Sequence, residues 1–260
     1  MEVGIPKEIK DKEARVGATP QMVRSLTKHN HKVKVQTQAG EILGYTDALY
    51  RQAGAEIVRT AKEAYESDMV VKVKEPQQEE FELMHEGQII FSYLHLAPDL
   101  EQTKALLEKK VIAVAYETIC DELGRLPLLA PMSEVAGRIA TMAGAWSLQI
   151  AQQGAGILLG GIPGVLPAKV LILGGGVAGK ESLKMAIGLG ADVVLFERNL
   201  QRIRELDDLF GGRAKTCFSN PSYIEEAIKD ADLVIGSVLI PGKKAPRLVT
   251  EEMVKSMKEG

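Results

Sequence analysis

Cysteine is scarce in this 260-residue chain, and the two present are not spaced to pair. Its two cysteines, Cys120 and Cys217, have no neighbouring cysteine or histidine at ligand spacing. That leaves no basis for a disulfide framework or a zinc site, and it fits a reducing compartment. An excess of one charge is lacking too. The 32 basic residues against 35 acidic ones give a formal net charge of −3, interspersed along the chain. No basic stripe points to nucleic acid, and no acidic tail points to disorder. Long apolar runs are also missing. The richest stretch, Gly154 to Leu173, is broken by Pro163, Pro167 and Lys169, so no membrane span is expected. The first residues, 1–13, are charged and offer no signal-peptide core. A soluble cytoplasmic protein with room for two domains is the expectation.

What is present is a glycine fingerprint set between apolar strands. Lys169-Val-Leu-Ile-Leu173 runs into Gly174-Gly-Gly-Val-Ala-Gly179, and a helix is expected over Lys180 to Leu189. A second strand from Asp192 then delivers Glu197. Gly174 makes the tight turn, Gly176 admits a pyrophosphate to the backbone, and Gly179 allows close packing of helix on strand. The helix N-terminus offers free N–H groups to phosphates, and Glu197 offers acceptors to a ribose diol. A glycine-rich packing turn is the bland alternative. Strand, helix, strand and acid in register favour a dinucleotide site.

The first half reads as strand–helix units. Glu2 to Ile5 opens as a strand; Thr19-Pro20 starts a helix reaching Lys28; Lys32 to Gln36 alternates as a strand; Thr46 to Gln52 is helical. Strands over 68–74, 88–95 and 110–117 are separated by helices over 78–86 and 99–109, the spacing of parallel βαβ crossovers. Turn residues around Pro127 and Pro131 mark a boundary, giving domains of 1–130 and 131–260. Ser133 is expected to cap a long helix over 134–152. Its small residues (Ala136, Gly137, Ala140, Ala143, Gly144, Ala145) require something packed close, either the chain itself or another subunit. Further strands are expected over 169–173, 193–197, 215–218 and 233–237, with helices over 199–210, 222–229 and 250–258. The expected class is therefore α/β: two doubly wound parallel-sheet domains, the second a Rossmann-type domain cut short by a strand or more.

Ligands of parallel α/β sheets sit outside the carboxyl ends of the strands. In the first domain those ends carry Lys74, His95 and Glu117, and the loop after the opening strand carries Arg15. Arg15 suits a small carboxylate through its planar fork, Lys74 adds a point charge, and His95 is the candidate acid–base group. Each has a plainer reading. Arg15 is also a solvated surface arginine, Lys74 shares an exposed strand face with Lys72, His95 is a structural histidine, and Glu117 is an ion-pair partner.

Several segments together resemble one family. They are Pro6-Lys-Glu-Ile-Lys10, Arg15-Val-Gly-Ala-Thr-Pro20, Val71-Lys-Val-Lys-Glu-Pro76, Tyr93-Leu-His-Leu96, Ala115-Tyr-Glu-Thr118, Pro127-Leu-Leu-Ala-Pro-Met-Ser-Glu-Val-Ala-Gly137 and Leu239-Ile-Pro-Gly-Lys-Lys-Ala-Pro246. The chain resembles the bacterial alanine dehydrogenases throughout its length, and fits them better than the related transhydrogenase subunits. The resemblance implies NAD-dependent interconversion of L-alanine with pyruvate and ammonia, commonly by a homohexamer. It makes Arg15 and Lys74 carboxylate binders and His95 the acid–base residue. It places Ser133, Val177, Ala178, Glu197, Arg202, Ser219, Val238 and Leu239 among NAD contacts. Glu197 stands where the family usually has aspartate. The family continues past this C-terminus into a segment bearing a second catalytic residue, an aspartate. The resemblance therefore leaves a rival expectation: a catalytically impaired short form retaining dinucleotide binding or assembly only.

Overall fold

The computed structural model describes residues 1–240 and 245–260, so residues 241–244 of the last motif above lie outside the described residues. The chain divides into two compact units, Met1–Leu126 and Pro127–Gly260.

Unit 1 runs β1 (Glu2–Ile5), α1 (Pro20–Lys28), β2 (Lys32–Gln36), α2 (Asp47–Gln52), β3 (Glu56–Val58), α3 (Ala61–Tyr65), β4 (Met69–Val71), α4 (Gln78–Phe81), β5 (Ile89–Ser92), α5 (Leu100–Glu108) and β6 (Ile112–Ala115). All strand pairs are parallel, in the order β3-β2-β1-β4-β5-β6. This is the doubly wound order, with its switch point between β1 and β4. Val3, Ile5, Val33 and Val35 bury one patch of the sheet with Val23 and Tyr50. Val70, Ile90 and Leu94 bury another with Tyr65, Met84 and Leu106.

Two elements here had no counterpart in the sequence reading, β3 and α3. The second carried a legible signal: Thr60 and Glu63 form a reciprocal capping box at its start. The strands over 68–74, 88–95 and 110–117 are shorter than expected, ending at Val71, Ser92 and Ala115. After β5 the chain swings into a left-handed conformation at His95, with φ of 49°. After β6 it closes into a 3₁₀ turn, Tyr116–Thr118. Lys74, His95 and Glu117 therefore stand on loops beyond the strand ends.

Unit 2 runs α6 (Ala130–Ser147), β7 (Lys169–Leu173), α7 (Val177–Gly188), β8 (Asp192–Glu197), α8 (Leu200–Phe210), β9 (Lys215–Phe218), α9 (Pro221–Asp230), β10 (Leu233–Gly236) and α10 (Glu251–Lys255). Its parallel sheet has the order β10-β7-β8-β9, again with the first strand at a switch point. Two boundaries correct the sequence reading. Ser133 does not cap α6: the helix opens at Ala130 with Pro131 in its first turn, where a missing N–H costs nothing, so Ser133 is already helical. Helix α7 begins at Val177 rather than Lys180, which places Gly179 inside it.

Of the small residues of α6, Gly137 faces α7 and Gly144 faces Leu233 of β10, while Ala136 and Ala143 are exposed. A Cβ on Gly137 would stand 2.1 Å from the Ala178 carbonyl oxygen. The Ser182 hydroxyl donates to the Gly137 carbonyl at 2.8 Å, and Thr141 donates to that of Ser182 at 3.1 Å. The opposite face of α6 presents Val135, Ile139, Met142 and Trp146 at i, i+4, i+7 and i+11, each about half exposed. No helix among the described residues is long and apolar enough to cross a membrane.

Candidate functional site

In unit 1 the carboxyl edge of the sheet gathers the polar residues. Arg15 follows β1, Lys74 follows β4, His95 follows β5 and Glu117 follows β6, and these four strands are consecutive neighbours. Topology alone brings the four loops to one edge.

Each side chain is held differently. Arg15 directs Nε and Nη2 at Glu13, at 2.8 and 2.6 Å, so two of its fork nitrogens already grip a carboxylate. Hydrogen bonding to Arg15 holds the Glu13 carboxyl below its usual range and raises the guanidinium's own pKa. A carboxylate ligand at Arg15 would share that guanidinium with Glu13. Lys74 is half buried, and its ammonium has no ion-pair partner among the described residues.

Lys72, expected to share an exposed face with Lys74, is instead fully buried. Its ammonium lies 3.1 Å from Glu8 and 2.8 Å from Glu80, both carboxylates also buried. Glu8 in turn accepts the N–H of Val73 at 2.6 Å and, at 3.4 Å, that of Lys74. This cluster anchors the segment from which Lys74 projects. Burial pushes the Glu8 carboxyl up, against the opposing pull of Lys72. Glu8, Glu13 and Glu80 were not singled out in the sequence. The available signal was Lys72 itself, a lysine at the end of an apolar strand, which cannot stay unpaired when buried; Glu80 lies eight residues on, while Glu8 is brought in from the loop after β1.

His95 is exposed, and its ring stacks near Tyr93, with centroids 6.3 Å apart and planes at 15°. Glu117 makes no ion pair among the described residues. Its carboxylate accepts the backbone N–H groups of His95 at 2.7 Å and Leu94 at 3.2 Å. The ion-pair reading of Glu117 is therefore replaced by a backbone-holding one.

In unit 2 the glycine turn follows β7 at the switch point. Gly174 adopts φ of 103°, open to glycine at little cost, and a Cβ on Gly179 would lie 1.8 Å from the Gly174 carbonyl oxygen. The Ser237 hydroxyl, just past β10, donates to the carbonyls of Leu173 and Gly174 at 2.9 and 2.8 Å. Ser237 was missed as a support of the turn. Gly176 faces open space, and α7 starts there without a side-chain cap. The helix thus presents uncapped N–H groups over Gly176, Val177 and Ala178, as a pyrophosphate requires.

Glu197 lies beside this turn. One carboxylate oxygen accepts the Gly175 N–H at 2.7 Å; the other accepts those of Arg198 and Asn199 at 2.7 and 2.9 Å. Arg202 donates to the Gly175 carbonyl at 2.7 Å and pairs with Glu205 at 3.0 Å. The Gly175 peptide is gripped on both sides. Ser219 follows β9 at the same edge, its N–H bonded to the Glu197 carbonyl. Val238 packs against Gly174, and Leu239 is exposed. Ser133, on α6, makes no hydrogen bond to the glycine turn. An open helix start, an acid on the adjacent strand and the glycine backbone together fit a dinucleotide. Among the described residues no group of three His, Cys, Asp or Glu side chains could hold a metal.

Comparison with known proteins finds relatives over both units. Residues 4–136 match the family "Alanine dehydrogenase/PNT, N-terminal domain", and residues 140–260 match "Alanine dehydrogenase/PNT, C-terminal domain". An alanine dehydrogenase of Bilophila wadsworthia is 56% identical over all 260 residues, which span 69% of that protein. An L-alanine dehydrogenase of known structure is 50% identical with a TM-score of 0.89, over 99% of this chain and 72% of that one. A transhydrogenase from Sinorhizobium meliloti is more distant, at 27% identity and a TM-score of 0.78, over 99% of this chain and 75% of that one.

Proposed function

Because the chain belongs to the alanine dehydrogenase/PNT family, we propose that it acts in the NAD-dependent interconversion of L-alanine with pyruvate and ammonia. The observation that carries the assignment of residues is the delivery of Arg15, Lys74 and His95 to one sheet edge by the neighbouring strands β1, β4 and β5. Unit 1 is the substrate domain and unit 2 the nucleotide domain.

Arg15 and Lys74 bind the substrate carboxylate, and fixing that group orients the Cα–H bond, which is where much of the rate advantage arises. NAD, when bound, supplies the acceptor for the Cα hydride. Loss of the hydride leaves a substrate iminium. His95 takes a proton from the water that adds to this carbon and returns it to the nitrogen; as the C–N bond breaks, the freed imidazole takes the carbinolamine hydroxyl proton, and ammonia and pyruvate are released. Gly174, Gly176, Val177, Ala178 and Gly179 receive the pyrophosphate. Glu197 accepts from the ribose hydroxyls and repels a 2′-phosphate. Arg202 braces the turn from below, and Ser133, Ser219, Val238 and Leu239 complete the nucleotide contacts.

The apolar stripe of α6 supports self-association, since a row of half-exposed Val135, Ile139, Met142 and Trp146 is poorly suited to water. A homo-oligomer in the cytoplasm is the setting we assign. The direct test is alanine-dependent NADH formation by the purified chain, beside His95→Ala, with light scattering for the assembly state. Turnover abolished by His95→Ala supports the reading. NADH binding without turnover in the parent chain would overturn it in favour of a dinucleotide-binding or assembly module.

A further inference from the structure

His95 occupies a backbone conformation that its side chain does not favour. Among non-glycine residues a φ of 49° is uncommon and is retained where the surroundings over-determine it. Those surroundings are specific. Glu117, in the turn after β6, accepts both N–H groups of the Leu94–His95 pair, at 3.2 and 2.7 Å. From the other side Gln102 on α5, fully buried, donates its amide to the Leu94 carbonyl at 2.7 Å. Gln102 is itself fixed at the helix start, where its own N–H bonds to Asp99 at 2.9 Å. The turn bearing Glu117 is set by Tyr116, whose ring meets Phe91 and Tyr93 edge-on, at 4.3 and 4.9 Å between centroids. The strand before His95 and the turn that holds it are thus locked as one piece.

We infer that Glu117 is a positioning residue for His95: its carboxylate, working through two backbone N–H bonds with Gln102 opposing, holds the imidazole-bearing residue in its left-handed conformation. The inference rests on the proposed role of His95 as the acid–base group. A charged acceptor suits the task, since bonds to an ionised carboxylate are about twice as strong as neutral ones. No direct chemistry is assigned to Glu117. The strain at His95 is offset by the two bonds, and releasing them lets the residue relax to an ordinary φ and carry its ring elsewhere.

The test compares Glu117→Ala and Glu117→Gln in the full chain by two independent readouts. One is amide hydrogen exchange at Leu94 and His95, with Ile90 as an internal core reference. The other is steady-state alanine oxidation. The parent is expected to protect both amides. Glu117→Ala should speed their exchange at least tenfold with Ile90 unchanged, and should lower kcat by about 10- to 100-fold, the scale of a misplaced catalytic group, with KM for NAD held. Glu117→Gln retains an acceptor oxygen and should recover most of both. Unchanged exchange at 94 and 95 in Glu117→Ala overturns the inference. So does a Glu117→Gln as impaired in kcat as Glu117→Ala while still protecting both amides, because charge rather than backbone holding would then be the requirement. If Glu117→Ala fails to fold, Glu117→Gln and Gln102→Leu supply the same exchange comparison. A parent chain that protects both amides but turns over no alanine fails the functional reading and leaves the clamp standing.

Discussion

At the scale of single residues, the two cations of unit 1 are not equivalent. Arg15 is already engaged by Glu13, whereas the Lys74 ammonium has no ion-pair partner among the described residues. Lys74→Ala is expected to weaken pyruvate binding by about 1.5–3 kcal/mol, the range for a charged hydrogen bond, measured by calorimetric titration. An unchanged affinity would return Lys74 to plain surface charge. Below it, Glu8 makes a pH-dependent contribution. Burial raises its carboxyl above the ordinary 4.5, so the folded state prefers it protonated. That preference is fully present below about 4.5 and is lost as pH rises through the elevated value. Glu8→Gln should therefore gain melting temperature relative to the parent between pH 4.5 and 7, and a flat difference would contradict the burial argument. In unit 2, Arg202 is tied to Gly175 and Glu205, which removes the side chain best placed to welcome a 2′-phosphate. NADH should bind at least tenfold more tightly than NADPH by fluorescence titration; equal affinities would show that Arg198 outweighs Glu197.

At the scale of elements, the turn chemistry was legible, as were the bounds of β1, β2, β7 and β9, whereas the ends of β4, β5 and β6 were not. Thr19-Pro20 placed α1 correctly, and the glycine spacing placed the β7–α7 turn. The starts of α6 and α7 were misjudged because Ser133 and Lys180 looked like better openings than Ala130 and Val177. Pro131 and the glycine backbone decided both. Arg15, Lys74 and His95 could be read from strand order, since parallel strands deliver their ends to one edge. Gln102 and Ser237 could not, because they act on backbone groups that no residue pattern reveals. Helix α6 allows an internal comparison. A Cβ at Gly137 meets the Ala178 backbone at 2.1 Å, while one at Gly144 meets the flexible Leu233 side chain at 2.4 Å. Alanine gains about 0.8–1 kcal/mol of helix propensity over glycine at either site. Gly144→Ala should be nearly neutral, and Gly137→Ala should lose about 1–3 kcal/mol as α6 is pushed off α7, read by denaturant unfolding. Equal effects would mean that α7 shifts freely.

At the scale of the molecule, each unit has its own sheet and its own buried clusters. Calorimetry should resolve two transitions, and NADH should raise the one belonging to unit 2, since a ligand stabilises what it binds. A single transition, raised as a whole, would show that the units unfold as one. The two sheets share the same central arrangement, a first strand flanked by the second and the fourth, yet furnish the switch point in opposite ways. Unit 1 arms it with side chains on loops, unit 2 with main-chain atoms and with Gly174 and Gly179, which admit almost no replacement. The two halves consequently differ in evolvability. On the proposed roles, a new substrate would be expected to come through exchange of loop residues at 15 and 74, with His95 retained. A change of nucleotide through Glu197 would instead strand three backbone N–H groups and demand a rebuilt turn.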